Sequence, residues 1–246
     1  MAPRQRVDQQ PGYVLHTYPY RETSLIVEAF SLDHGRVGLV ARGARRPTSQ
    51  LRGQLMAFRP LFLDWSGGGE MKTLIRAEWQ GRLPLLGGQA LLCGYYLNEL
   101  LMRLLPREVP HPALYAAYAE ALEGLAHGEP QEILLRRFEL ALLQELGYGL
   151  CLDSEGDTGI PLRPDGRYAY IIERGAVLVE GLGLQDASVV SGQTLLDMGR
   201  GDFRNPETLG QSKLLMRRLI QHYLGGQALQ SRRIFTEMFA LPGESS

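Results

Sequence analysis

The sequence predicts an α+β protein: a small antiparallel barrel in the first third, then a mainly helical region that carries one β-hairpin. Three observations lead there. Residues 13–80 form short apolar segments separated by glycine-rich turns, and residues 86–147 switch to the helical period. Hydrophobic and charged residues make up 44% and 22% of the 246 positions, ordinary globular proportions. The chain exceeds an average domain, so more than one module is expected. No apolar run reaches the roughly 20 residues that cross a bilayer. The longest, near 90–102, is interrupted by Asn98 and Glu99. No apolar core follows the arginines of MAPRQRVDQQ, so no secretory leader is expected. A cytoplasmic protein is the expectation.

The barrel strands are YVLHTY (13–18), SLIVEAFSL (24–32), RVGLVAR (36–42), LFLDW (61–65) and KTLIRAEW (72–79), all rich in β-branched and aromatic residues. Asp33-His34-Gly35 and Ser66-Gly67-Gly68-Gly69 are the clearest turns between them. In the third strand Val37, Leu39 and Ala41 fall on one face, with Arg36, Val40 and Arg42 on the other. Five short strands without a helix-length crossover suit an OB-fold, and on pattern alone an SH3-like barrel suits equally.

Helices follow over 87–106, 111–126 and 130–147, punctuated by Pro106, Pro110, Gly128 and Pro130. Pro112 and Pro130 suit a first helical turn, and Gly147 suits a helix end. Their wide apolar faces predict that these helices bury one another. Beyond them, residues 167–181 form a hairpin around Arg174-Gly175, and Ser191 caps a short helix to about Met198. Asn205 and Pro206 open a longer helix to Tyr223, and residues 231–239 make a last short one. The expected domains are therefore a barrel over 1–83 and a helical domain over 84–246.

Net charge is −1, but it is unevenly spread. Residues 1–83 hold 12 basic and 7 acidic residues, residues 84–246 hold 14 and 20, and residues 200–235 hold 7 and 2. Only Lys72 and Lys213 are lysine. Arginine's planar fork suits phosphate, although base composition of the genome produces the same bias.

The sequence offers no catalytic or metal-binding constellation. SGGGEMKT (66–73) lacks the order of a phosphate-cradling loop and reads as a hairpin turn. DSEGDTG (153–159) has Thr158 where a calcium loop needs its glycine and Pro164 where it needs its bidentate glutamate. The five histidines show no metal-ligand spacing, there is no Gly-x-Ser-x-Gly elbow, and Cys151 has no local base. Glu120 and Glu123 read as hydrated surface. With only Cys93 and Cys151, neither a disulfide framework nor a four-cysteine site is expected. No cofactor and no enzymatic activity are expected.

What the sequence does offer is a basic barrel. Arg42, Arg45, Arg46 and Arg52 lie within eleven residues that leave a strand and enter a polar loop, suited to tracking a phosphate backbone. Of the eight aromatic residues in 1–83, most are needed for the barrel core, leaving one or two for stacking on bases. Farther on, Lys213 and Arg217, four apart, share a helix face with Arg218 adjacent, and together they are expected to extend the DNA track.

Several motifs resemble the RecO recombination mediators. They are Tyr20-Arg21-Glu22-Thr23-Ser24-Leu25, Gly35-Arg36-Val37 and Arg42-Gly43-Ala44-Arg45, then Tyr96-Leu97-Asn98-Glu99-Leu100-Leu101. Leu135-Arg136-Arg137-Phe138-Glu139-Leu140, Leu146-Gly147-Tyr148-Gly149, Tyr223-Leu224-Gly225-Gly226 and Leu229-Gln230-Ser231-Arg232-Arg233 complete the series. The resemblance spans nearly the whole chain in order.

It implies an OB-fold followed by a helical domain, and a non-enzymatic role in DNA repair and recombination. Implied partners are single- and double-stranded DNA, whose complementary strands are annealed, the C-terminal tail of single-strand-binding protein, and RecR, with a functional link to RecA loading. Implied localisation is cytoplasmic, at the nucleoid. Arg36, Arg42, Arg45, Arg46 and Arg52, with Lys213, Arg217 and Arg218, are the candidate DNA surface. Arg136 and Arg137 match the segment implicated in holding the acidic tail, for which an arginine fork is suited. Many relatives carry a four-cysteine zinc module after the Leu146-Gly147-Tyr148-Gly149 segment. Here only Cys151 remains in the corresponding region, about 147–182, so this chain resembles the zinc-free branch and no metal is expected. The rival readings are a general single-strand-binding OB protein and an adaptor whose barrel does not bind DNA.

Overall fold

The computed structural model describes residues 6–81, 83–179 and 189–239. Five strands open the chain: β1 (Arg6–Tyr20), β2 (Ser24–Ser31), β3 (Gly35–Ala41), β4 (Pro60–Ser66) and β5 (Met71–Trp79). They close into a barrel in the order β1-β2-β3-β5-β4, with β1 pairing both β2 and β4. This is an OB-like arrangement. Its one parallel pair, β3 with β5, joins strands distant in sequence, which local alternation does not reveal.

β1 begins seven residues ahead of the apolar pattern. The polar stretch from Arg6 to Gly12 is drawn into the barrel because it pairs with β4, and an irregularity between Val7 and Gln10 accommodates it. Gln9 sits there at φ +52°, and its amide donates to the buried Asp64 carboxylate at 2.7 Å.

Val37, Leu39 and Ala41 are fully buried, while Arg36 and Val40 turn outward, as the period of two predicts. With Val14, Val27, Ala29, Leu61, Leu63 and Trp65 they fill the interior. Each buried aliphatic side chain contributes roughly 1.5–3 kcal/mol by leaving water. Tyr13 and Phe30 alternate with inward Val14 and Ala29, so they point away from that interior and need other cover.

Two helices supply it. α1 (Gly88–Leu104) and α2 (Pro112–Ala126) follow the predicted bounds closely. Tyr118 of α2 lies edge-on to Tyr13 and Phe30, at 5.1 and 6.0 Å between ring centres. Its hydroxyl donates to Asn98 Oδ1 at 2.5 Å, and Asn98 Nδ2 donates to the Leu15 carbonyl at 2.8 Å. That buried chain of bonds joins α2, α1 and β1. α6 (Gln230–Phe239) packs on α1.

By packing, the chain divides into one unit of Met1–Glu129 with Leu229–Ser246 and another of Pro130–Ala228. Helices α1 and α2 bury their apolar faces on barrel aromatics and not only on each other.

The second unit contains α3 (Gln131–Glu145), β6 (Arg167–Ile171), β7 (Gly175–Leu178), β8 (Val189–Ser191), α4 (Gly192–Gly199) and α5 (Pro206–Tyr223). The predicted hairpin is β6 with β7; its last expected residues, 180 and 181, lie outside the described residues. β8 adds a third strand on the other side of β6, too short at three residues to stand out in the sequence. Ser191 Oγ accepts the Thr194 amide at 3.1 Å, and Asn205 Oδ1 accepts that of Glu207 at 2.9 Å, the two expected caps. Leu143, Tyr168, Tyr170, Leu195, Phe203 and Leu215 lie in its core. Among the described residues, no helix is long and apolar enough to cross a membrane.

Candidate nucleic-acid interface

The loop between β3 and β4 is the most cationic segment of the barrel, and it is anchored rather than free. Ala44 and Leu55 are buried in the barrel core, and Leu51 packs against it. The Arg45 amide donates to the Thr23 carbonyl at 2.9 Å, and that of Arg46 to Gly43 at 3.0 Å. Gly43 takes φ +67°, which lets the chain turn directly after Arg42. A short 3-10 turn over Gln50–Gly53 then carries Arg52.

Between these anchors Arg42, Arg45, Arg46 and Arg52 are all exposed. Among the described residues none of the four makes an ion pair or side-chain hydrogen bond. Four exposed guanidinium groups on an anchored loop can each meet a phosphate oxygen.

Arg36 does not join them. It is half-buried on β3, where Nη1 reaches Glu28 Oε2 at 3.3 Å and Nε donates to the Leu105 carbonyl at 3.1 Å. Arg107 takes the other oxygen of Glu28. Burial lowers the Arg36 pKa, with Glu28 opposing that shift. Arg36 is thus tied to an internal carboxylate, a partner that the sequence pattern did not disclose.

In the second unit, neighbouring candidates separate. Arg136 is 8% exposed and paired with Glu139 one helical turn on, whereas Arg137 is exposed and donates from Nε to the Gly201 carbonyl at 3.3 Å. On α5, Lys213 pairs with Glu132 of α3 at 2.7 Å, Arg217 is exposed, and Arg218 is half-buried. Its Nη1 has no hydrogen-bond partner among the described residues.

The residues of the calcium-like loop are engaged internally: Arg174 Nε donates to both Asp157 oxygens at 2.7 and 2.8 Å, and Thr158 donates to Glu155 at 2.7 Å. Cys151 Sγ lies 3.1 Å from Ser154 Oγ and 3.7 Å from Asp153 Oδ1, a set that does not fit a tetrahedral structural zinc. Among the described residues, no group of three or more His, Cys, Asp or Glu is placed to hold a metal. Beside Cys151, a recess of about 260 Å³ is floored by Tyr148 stacked on Tyr223 at 3.9 Å.

Sequence reading did not single out Arg59 and Trp79. The Arg59 guanidinium sits 3.9 Å above the centre of the Trp79 ring, and the indole N–H donates to the Gln54 carbonyl at 3.0 Å. Trp79 was legible only as one of eight aromatics: the strand end at 79 was expected, but not the Gln54 and Arg59 contacts that hold the ring.

An OB-like barrel is a fold on which oligonucleotides and oligosaccharides are bound, and here it carries an anchored cationic loop and is followed by helices. The chain belongs to the recombination protein O family: the family's N-terminal model matches residues 6–82 and its C-terminal model residues 87–233. It is 64% identical over 240 residues to the DNA repair protein RecO of Aromatoleum aromaticum, covering 97% of this chain and 99% of that one. The RecO of Azoarcus sp. is 63% identical over 243 residues, with 98% and 100% covered. That of Dechloromonas aromatica is 56% identical over 238 residues, with 96% and 98% covered. The chain is accordingly a DNA-repair protein.

Proposed function

We propose that this protein is a recombination mediator that works by binding rather than by bond chemistry. It binds single- and double-stranded DNA, anneals complementary strands, engages the C-terminal tail of single-strand-binding protein, and acts with RecR to promote RecA loading. Its place of action is the cytoplasm, at the nucleoid. The carrying observation is the set Arg42, Arg45, Arg46 and Arg52, exposed and uncompensated on a loop anchored by Ala44, Leu51 and Leu55. Lys213, Arg217 and Arg218 extend the DNA surface within the second unit, with Lys213 already sharing its charge with Glu132. Arg137 is the residue offered to the acidic tail, and Arg136, paired with Glu139, positions that helix face. Arg36 is left out of the DNA surface.

The test is fluorescence anisotropy of a labelled single-stranded oligonucleotide across a salt series, on the wild type and on R42A/R45A/R46A/R52A. Each lost phosphate contact lowers the log–log salt slope by about 0.7, so the variant's slope falls by up to about 3. An unchanged slope removes this loop from the interface. Absence of binding at low salt removes the DNA reading and leaves the adaptor. Preference for an acidic tail peptide over a scrambled one separates the mediator from a general single-strand binder.

A further inference from the structure

Trp79 sits at the rim of the barrel. Directly paired residues of neighbouring strands share a face, and Trp79 pairs with Leu61, which is fully buried. Trp79 therefore lies on the inward face of β5, at the strand's last position. It is 45% exposed, whereas Trp65, the other tryptophan, is 1% exposed.

The ring is held in one orientation. Its backbone is fixed by the β4 pairing and by the Gln80 amide on the Pro60 carbonyl at 2.8 Å. Its indole N–H is held by the Gln54 carbonyl, and its face is backed by the Arg59 guanidinium. An exposed aromatic normally loses rotamer freedom when something stacks on it; here that freedom is already restricted.

The phosphate-seeking loop leads to the same place. Gln54, which holds the indole, lies two residues beyond Arg52, at most about 7 Å along the chain. A rigid π-surface, a guanidinium layered on it and a run of uncompensated arginines are the elements that hold an unpaired nucleotide: stacking for the base, cations for the backbone. A paired base in a duplex has its faces occupied by its neighbours and offers none to the ring.

We infer that Trp79, backed by Arg59, is the stacking platform for one unpaired base of single-stranded DNA. This rests on the proposed DNA-binding reading and adds to it the residue that separates single strands from duplex.

The experiment follows tryptophan emission and the anisotropy of a labelled oligothymidine in the same titration of the full chain. Anisotropy reports binding; quenching reports contact with Trp79, because Trp65 is out of reach. The expected result is quenching that parallels binding of the single strand and is absent with a duplex of the same length. W79F retains most of the binding and loses the quenching. W79A weakens binding about 5- to 150-fold at every salt concentration, leaving the salt slope unchanged, since stacking releases no counterions. R59A keeps the quenching and weakens binding. Binding without quenching, or W79A binding as tightly as the wild type, overturns the inference while leaving the arginine loop in place. No anisotropy change at low salt overturns both.

Discussion

At Glu28 a single carboxylate, 3% exposed, holds two guanidinium groups, those of Arg36 and Arg107. Removing its charge leaves two cations facing each other, with Arg36 still on the Leu105 carbonyl and Arg107 partly exposed to water. E28Q is expected to cost about 2–3 kcal/mol in urea unfolding at pH 7, because a buried partner is stranded rather than a surface pair lost. A loss under about 0.5 kcal/mol would mean that both arginines swing out to water. The same contact gives Arg36 partners that its place in the strand pattern did not reveal. Period two correctly turned it away from the interior, but a strand's outer face is not always solvent. Here residues 105–109 lie over it, with the Glu108 amide on the Arg36 carbonyl at 3.0 Å.

Turns and strand ends show what the elements themselves require. Gly35 takes φ +63°, and a Cβ there would stand 2.0 Å from the Val109 carbonyl oxygen. Gly43 takes a similar φ of +67°, but its Cβ would meet only the flexible Arg46 side chain at 3.5 Å. The two glycines separate backbone strain from collision. G43A is expected to cost about 1 kcal/mol, and G35A at least about 2 kcal/mol more, by urea unfolding. Equal losses would show that the 105–109 segment yields.

The elements were legible where periodicity and caps were local. The interior face of β3, the helix bounds, and the caps at Ser191 and Asn205 all follow from neighbours within a few residues. The early start of β1, the third strand beside β6, and the parallel β3–β5 pair were not legible, because each is set by a partner far along the chain. Trp79 belongs with them. An alternating pattern gives its face, but only the register with Leu61 places it at the rim.

At the scale of the molecule, Glu99 on α1 holds the start of α6. Its carboxylate accepts the amides of Gln230 and Ser231 at 2.9 and 2.8 Å and the Ser231 hydroxyl at 2.7 Å, with Arg103 beside it. Burial alone would raise its pKa, but the Ser231 and Gln230 donors and Arg103 outweigh that and hold it below the usual carboxylate range. A lowered folded-state pKa means that this stabilisation is fully present above about pH 5 and is lost as pH falls through the lowered value. Amide exchange at Gln230 and Ser231, corrected for intrinsic rates, is therefore expected to accelerate on acidification. In E99Q it is already fast and loses that dependence. Protection unaffected by either change would place the hold on α6 elsewhere.

Those contacts join residues 131 and 132 positions apart, with the whole second unit between them. On a ribosome adding about 5–20 residues per second, roughly 5–20 s separate the emergence of the barrel and its first two helices from that of the segment that Glu99 holds. During that interval the second unit is made as one uninterrupted stretch and is free to fold. The first unit to appear is thus the last to be finished.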